Sequence, residues 1–126
     1  MVSLIASLLP AHAAVGGIKL SDKYDMPYYI IVDVTNQITT VYDTSDDHVV
    51  RQMICSTGRH DATPLGQFIM PAQQRTRERG EWYTFQSEDI LAKYATRIVG
   101  NFLFHSILYT AMDDSTLNEE EAAKLG

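Results

Sequence analysis

Apolar and polar positions change over at short intervals along most of this chain, and the pattern is that of strands. Tyr28-Tyr29-Ile30-Ile31-Val32-Asp33-Val34 is dense in β-branched and aromatic residues and predicts a strand. Thr35-Asn36-Gln37 predicts a turn, and Ile38-Thr39-Thr40-Val41-Tyr42 the returning strand, with Ile38, Thr40 and Tyr42 on one face. Asp43 to Asp47 is a polar turn cluster, and His48 to Cys55 predicts a third strand. A long polar loop from Ser56 to Leu65 leads to a fourth short strand, Gln67-Phe68-Ile69-Met70. Strand character resumes at Glu81-Trp82-Tyr83-Thr84-Phe85, so Gln73 to Gly80, with Arg75, Arg77 and Arg79, reads as the basic tip of a hairpin. Ile90 to Val99 fits either helix or strand. Gly100-Asn101 predicts a turn, and Phe102 to Tyr109 a buried strand. Many short strands with little helix before residue 115 predict a mainly β fold, a β-sandwich or barrel-like domain with a short C-terminal helix.

The two ends read differently. Met1 to Val15 is apolar but shorter than the ~20 residues of a membrane-spanning helix, and Pro10 and His12 interrupt it, so no stable membrane span is expected. Ala11-His12-Ala13-Ala14 has the small residues of a signal-peptide exit, while the first basic residue is only Lys19. A secretory leader and a poorly packed tail both fit, so residues 1–26 form a leader-like or flexible segment and residues 27–126 the domain proper. Near the other end, Thr116-Leu117-Asn118-Glu119 fits a capping box. Glu119, Glu120 and Glu121 then sit where the helix dipole favours negative charge, and Gly126 is a natural stop.

Composition narrows the chemistry. The 126 residues carry 10 Lys+Arg against 16 Asp+Glu, a formal charge of −6, which argues against a nucleic-acid surface. A single cysteine, Cys55, excludes an internal disulfide framework and cysteine-rich zinc sites. The four histidines, His12, His48, His60 and His105, never fall at helical i, i+4 spacing, and no metal is expected. The seven glycines form no phosphate-cradling spacing.

His105 is the first candidate for chemistry. It lies in an apolar run, where burial favours the neutral imidazole that a general base needs, but taken alone it reads more readily as a core histidine satisfied by backbone carbonyls. Cys55 follows Val49, Val50, Met53 and Ile54 and reads as a small apolar strand residue more than as a nucleophile. The Arg75, Arg77, Arg79 tip could grip carboxylates or simply be a solvated hairpin.

Several stretches then fall into one order. The strand pair Tyr29 to Tyr42 is followed by Ser56-Thr57-Gly58 and Thr63-Pro64-Leu65-Gly66-Gln67-Phe68. Tyr94-Ala95-Thr96-Arg97-Ile98 and Gly100-Asn101-Phe102-Leu103-Phe104-His105-Ser106 come next. From Pro27 to Gly126 the chain resembles the catalytic domain of the L,D-transpeptidases, bacterial cysteine enzymes that cross-link peptidoglycan. The resemblance implies His105 as the base and Ser106 as the group that orients it, a Cys-His counterpart of the serine triad. It also implies a cysteine nucleophile in a Ser/Thr-His-Gly-Cys motif after the Phe-His-Ser stretch, which these 126 residues do not contain; Cys55 precedes Ser-Thr-Gly and does not match it. The expectation is therefore a partial catalytic domain, inactive alone, working outside the cytoplasm on peptidoglycan stem peptides without metal or organic cofactor. A noncatalytic wall-binding module and an enzyme pairing Cys55 with His105 are the alternatives.

Overall fold

The computed structural model describes the backbone of residues 2–6 and the whole of residues 26–71, 80–85 and 90–126. These fall into two compact units, residues 1–70 with Gly126, and residues 71–125. The Arg75, Arg77 and Arg79 tip lies outside the described residues.

The first unit is one open five-stranded sheet in the order β4-β3-β2-β1-β5. Its strands are β1 (Val2–Ala6), β2 (Tyr28–Asp33), β3 (Ile38–Asp43), β4 (Val49–Ile54) and β5 (Gly66–Ile69). β2 and β3 form the expected hairpin, pairing Tyr28 with Asp43 through Asp33 with Ile38. The opposed Tyr29 and Tyr42 rings stack at 4.8 Å and 8°. The turn closes on Asp33, whose carboxylate accepts the N–H groups of Thr35 at 3.0 Å and Asn36 at 2.9 Å. Thr40 and Tyr42 are buried on the expected face, and Thr39 is buried on the other, so β3 is covered on both sides. β4 is the far edge strand and is exposed throughout.

The apolar pattern at the N-terminus has an outcome that composition did not suggest. Val2–Ala6 forms a strand inside the sheet, parallel to β2 on one side and antiparallel to β5 on the other.

The second unit holds two antiparallel pairs. β6 (Trp82–Thr84) pairs with β7 (Leu91–Lys93), and β8 (Thr96–Val99) with β9 (Phe102–Phe104). The ambiguous stretch Ile90 to Val99 thus holds two strands, separated by Tyr94 and Ala95, with Tyr94 in the left-handed region at φ 55°. Tyr83, Leu91, Ala92 and Ala95 form the apolar core of this unit. The helix α1 spans Glu119–Ala122, and its cap is Asn118, which accepts the Glu121 N–H at 3.1 Å. The helix therefore starts two residues later than expected, and no capping box forms, because the Asn118 N–H donates to the Leu108 carbonyl at 2.9 Å. Thr116 Oγ1 instead accepts the Ala111 N–H at 3.1 Å and has its single proton within reach of the Asp113 and Ala111 carbonyls, at 2.7 and 2.9 Å. The fold is mainly β, as expected, but the sheets stay open and no barrel closes among the described residues. No described helix is long and apolar enough to cross a membrane.

Candidate active site

His105 stands one residue beyond β9. Its side chain is exposed, which corrects the expectation of burial. The reason is that β9 ends at Phe104; the residues after it do not continue the strand and are instead bonded to the edge of β7 at Ser106 and, through a bridge, at Tyr109. The imidazole meets the Phe85 ring edge-on, at 5.1 Å and 74°. Its Nδ1 lies 2.6 Å from the Ser106 carbonyl oxygen. A carbonyl oxygen only accepts, so Nδ1 carries the proton in this contact, and a neutral ring then offers Nε2 as an acceptor.

Ser106 meets the ring through its backbone, not through its hydroxyl. The hydroxyl accepts the Lys93 N–H at 2.8 Å and donates to the Ile107 carbonyl at 2.7 Å. The Ser106 N–H donates to the Lys93 carbonyl at 3.0 Å. Residue 106 is thereby pinned on the edge of β7 by both its side chain and its main chain.

Lys93 is a residue that sequence reasoning passed over. It is 6% exposed, and its ammonium lies 2.7 Å from Glu81 Oε1 and 2.5 Å from Asp114 Oδ1. It also sits over the rings of Trp82, at 5.0 Å, and Tyr94, at 5.4 Å. The hydrogen bonds to Asp114 and then Glu81 hold it protonated well above the ordinary lysine range. The available signal was one charge in the otherwise uncharged run Leu91-Ala92-Lys93-Tyr94-Ala95.

In the first unit, the loop after β4 carries the other motif residues. Gln37, at φ 55°, reaches from the β2–β3 turn to Thr57. Its Nε2 donates to Thr57 Oγ1 at 2.8 Å and to the Val34 carbonyl at 2.6 Å, and its Oε1 accepts the Thr57 N–H at 2.7 Å. The Gly58 N–H donates to Thr63 Oγ1 at 2.7 Å. A Cβ on Gly58 would stand 3.1 Å from that oxygen and 3.2 Å from the Thr63 nitrogen, so a side chain here would fit only if Thr63 gave way by a few tenths of an ångström. Ser56-Thr57-Gly58 and Thr63-Pro64 are thus two ends of one hydrogen-bonded loop.

Cys55 is half-buried just past β4, and its N–H donates to the Gln37 carbonyl at 2.8 Å. Asp43, Asp46 and His48 bring three potential metal-ligand atoms within 4.8 Å of one another. Those atoms are engaged in turn contacts: Asp43 accepts from Ser45 N and Oγ, and Asp46 Oδ1 lies 2.5 Å from His48 Nδ1. The Asp46 contact raises the His48 pKa.

No curated protein and no solved structure is significantly similar to the chain. A family model does match, that of YkuD, the L,D-transpeptidase catalytic domain, over residues 27–112. The match covers more than half of the chain, including the hairpin, the Ser-Thr-Gly loop and Phe104-His105-Ser106, and the chain belongs to the L,D-transpeptidase catalytic domain family.

Proposed function

We propose that these residues carry the base side of a cysteine acyl-transfer site, with His105 as general base and Ser106 as its orienting partner. The observation that carries this is the 2.6 Å contact of His105 Nδ1 with the Ser106 carbonyl, at a residue that is exposed. Nε2 is then the nitrogen that takes a proton from an incoming thiol. The thiolate attacks the L,D-peptide bond of a stem peptide, and the proton passes from Nε2 to the departing D-alanine amine. In the second step Nε2 removes a proton from the amine of a neighbouring stem as that amine attacks the thioester, and the thiolate is regenerated. This chemistry needs no metal or organic cofactor, and it places the protein outside the cytoplasm, where peptidoglycan is.

Cys55 does not supply the thiol on this reading, because it precedes the Ser56-Thr57-Gly58 loop, whereas the family's nucleophile follows Phe-His-Ser. The 126-residue chain is therefore expected to keep its mass when incubated with a carbapenem, while a tetrapeptide stem moves the His105 ring signals in NMR spectra. A covalent adduct that disappears in Cys55→Ala would give Cys55 the nucleophilic role. Unmoved His105 signals at saturating stem peptide would remove the substrate-site reading.

A further inference from the structure

We propose that Lys93 is a positioning residue for His105: by joining Glu81 and Asp114 at its ammonium, it fixes the strand edge that holds the Ser106 peptide, and through that peptide the proton-bearing nitrogen of the imidazole. This rests on the reading of His105 as the base.

The path is continuous within the second unit. Glu81 immediately precedes β6, Lys93 ends β7, and Asp114 opens the turn Asp114–Thr116. One buried ammonium therefore ties three chain segments together. The segment after β9 is bonded along β7 at both of its ends. At one end Lys93 donates to the Ser106 hydroxyl and accepts the Ser106 N–H. At the other, the Tyr109 N–H donates to the Leu91 carbonyl at 2.8 Å. Tyr109 in turn packs edge-on against Trp82, at 5.1 Å and 85°, the same ring that faces the Lys93 ammonium. The Ser106 carbonyl that receives His105 Nδ1–H thus belongs to a residue held at its N–H and its hydroxyl by the main chain of Lys93.

The arrangement has a chemical consequence. A neutral imidazole presents one donor and one acceptor nitrogen, and which is which depends on the partner that holds it. If the Ser106 peptide loosens, nothing selects Nδ1 as the donor, and Nε2 carries the proton part of the time. A ring in that form cannot accept a proton at Nε2. A merely structural ion cluster would change the melting temperature but leave this selection alone.

The test uses the 126-residue chain labelled with 15N-histidine, at about pH 8, above the ordinary histidine range, with His105→Ala identifying the signals. The wild-type ring is expected to show Nδ1 protonated and Nε2 bare. In Lys93→Met, which keeps the apolar stem but not the charge, the two nitrogen signals move toward each other as the ring averages between tautomers. Lys93→Arg, which keeps both carboxylate contacts, restores the wild-type pattern. A folded Lys93→Met chain with unchanged His105 signals overturns the proposal and leaves His105 as the base. A wild-type ring protonated at Nε2 overturns the reading of His105 itself, and this proposal with it. If Lys93→Met does not fold, Glu81→Gln and Asp114→Asn each remove one arm of the tie. Movement of the signals in either supports the positioning role, and unchanged signals in both overturn it.

Discussion

Gln37 shows how a single side chain can hold a motif in place without taking part in chemistry. Its amide spans 20 positions of sequence to Thr57 and satisfies both the hydroxyl and the N–H of that residue. Gln37→Asn keeps an amide and tolerates the left-handed backbone, but it is one methylene too short to reach. It is therefore expected to lower the unfolding free energy by about 1–3 kcal/mol, the range for a part-buried donor left unmatched. Urea denaturation reads this, and an unchanged midpoint would mean that water replaces the amide. Such a contact was not legible in the sequence, where Gln37 is only the last residue of a turn. His105 was legible in a different way. Its apolar neighbours suggested burial, which the structure reverses, whereas the order of motifs around it pointed to its place in the family. Local hydropathy fails there because a strand that ends at Phe104 leaves the next residue outside the ladder.

At the scale of elements, strands with dense β-branched and aromatic residues were the most legible, and the β2–β3 hairpin was predicted to within a residue or so. Helix capping was less so, because Thr116 and Asn118 are both good caps and only the turn contacts that engage the Thr116 hydroxyl decide between them. The hairpin turn carries a pH dependence with a definite sign. Hydrogen bonds from Asn36 and Thr35 hold the Asp33 carboxyl below its ordinary value of 3.8. A carboxyl with a lowered folded pKa contributes stability above its unfolded pKa and loses it as pH falls through the folded value. Amide exchange at Thr35 and Asn36 is therefore expected to be slow at neutral pH and to gain an additional opening contribution below about pH 4, after correction for intrinsic rates. Asp33→Asn keeps an acceptor oxygen but cannot titrate, so the turn should stay protected while that acid-induced opening disappears. Opening that persists unchanged in Asp33→Asn would assign it to another group.

At the scale of the whole molecule, the open question is what Val2–Ala6 does. As part of a leader it is dispensable to the fold. As β1 it is the strand through which β5 joins the sheet, since β5 pairs with β1 in the register Ser3↔Ile69 to Ala6↔Gly66. Removing it would also strip the second edge of β2, from Tyr28 to Val32, of its parallel partner. Unpaired strand edges are costly inside a fold and invite association outside it. β5 carries Gly66 and Phe68 of the Thr-Pro-x-Gly-x-Phe motif, so its detachment would also release one end of the loop closed by Gly58 and Thr63. A chain starting at Met26 is accordingly expected to melt at a lower temperature than the 126-residue chain, with faster amide exchange at Gln67 and Phe68. An unchanged melt with β5 still protected would return the removed residues, 1–25, to the role of a removable leader. The sequence alone could not choose between these outcomes, because a short apolar run satisfies a leader and an inserted strand equally, and only the pairing partners on either side distinguish them.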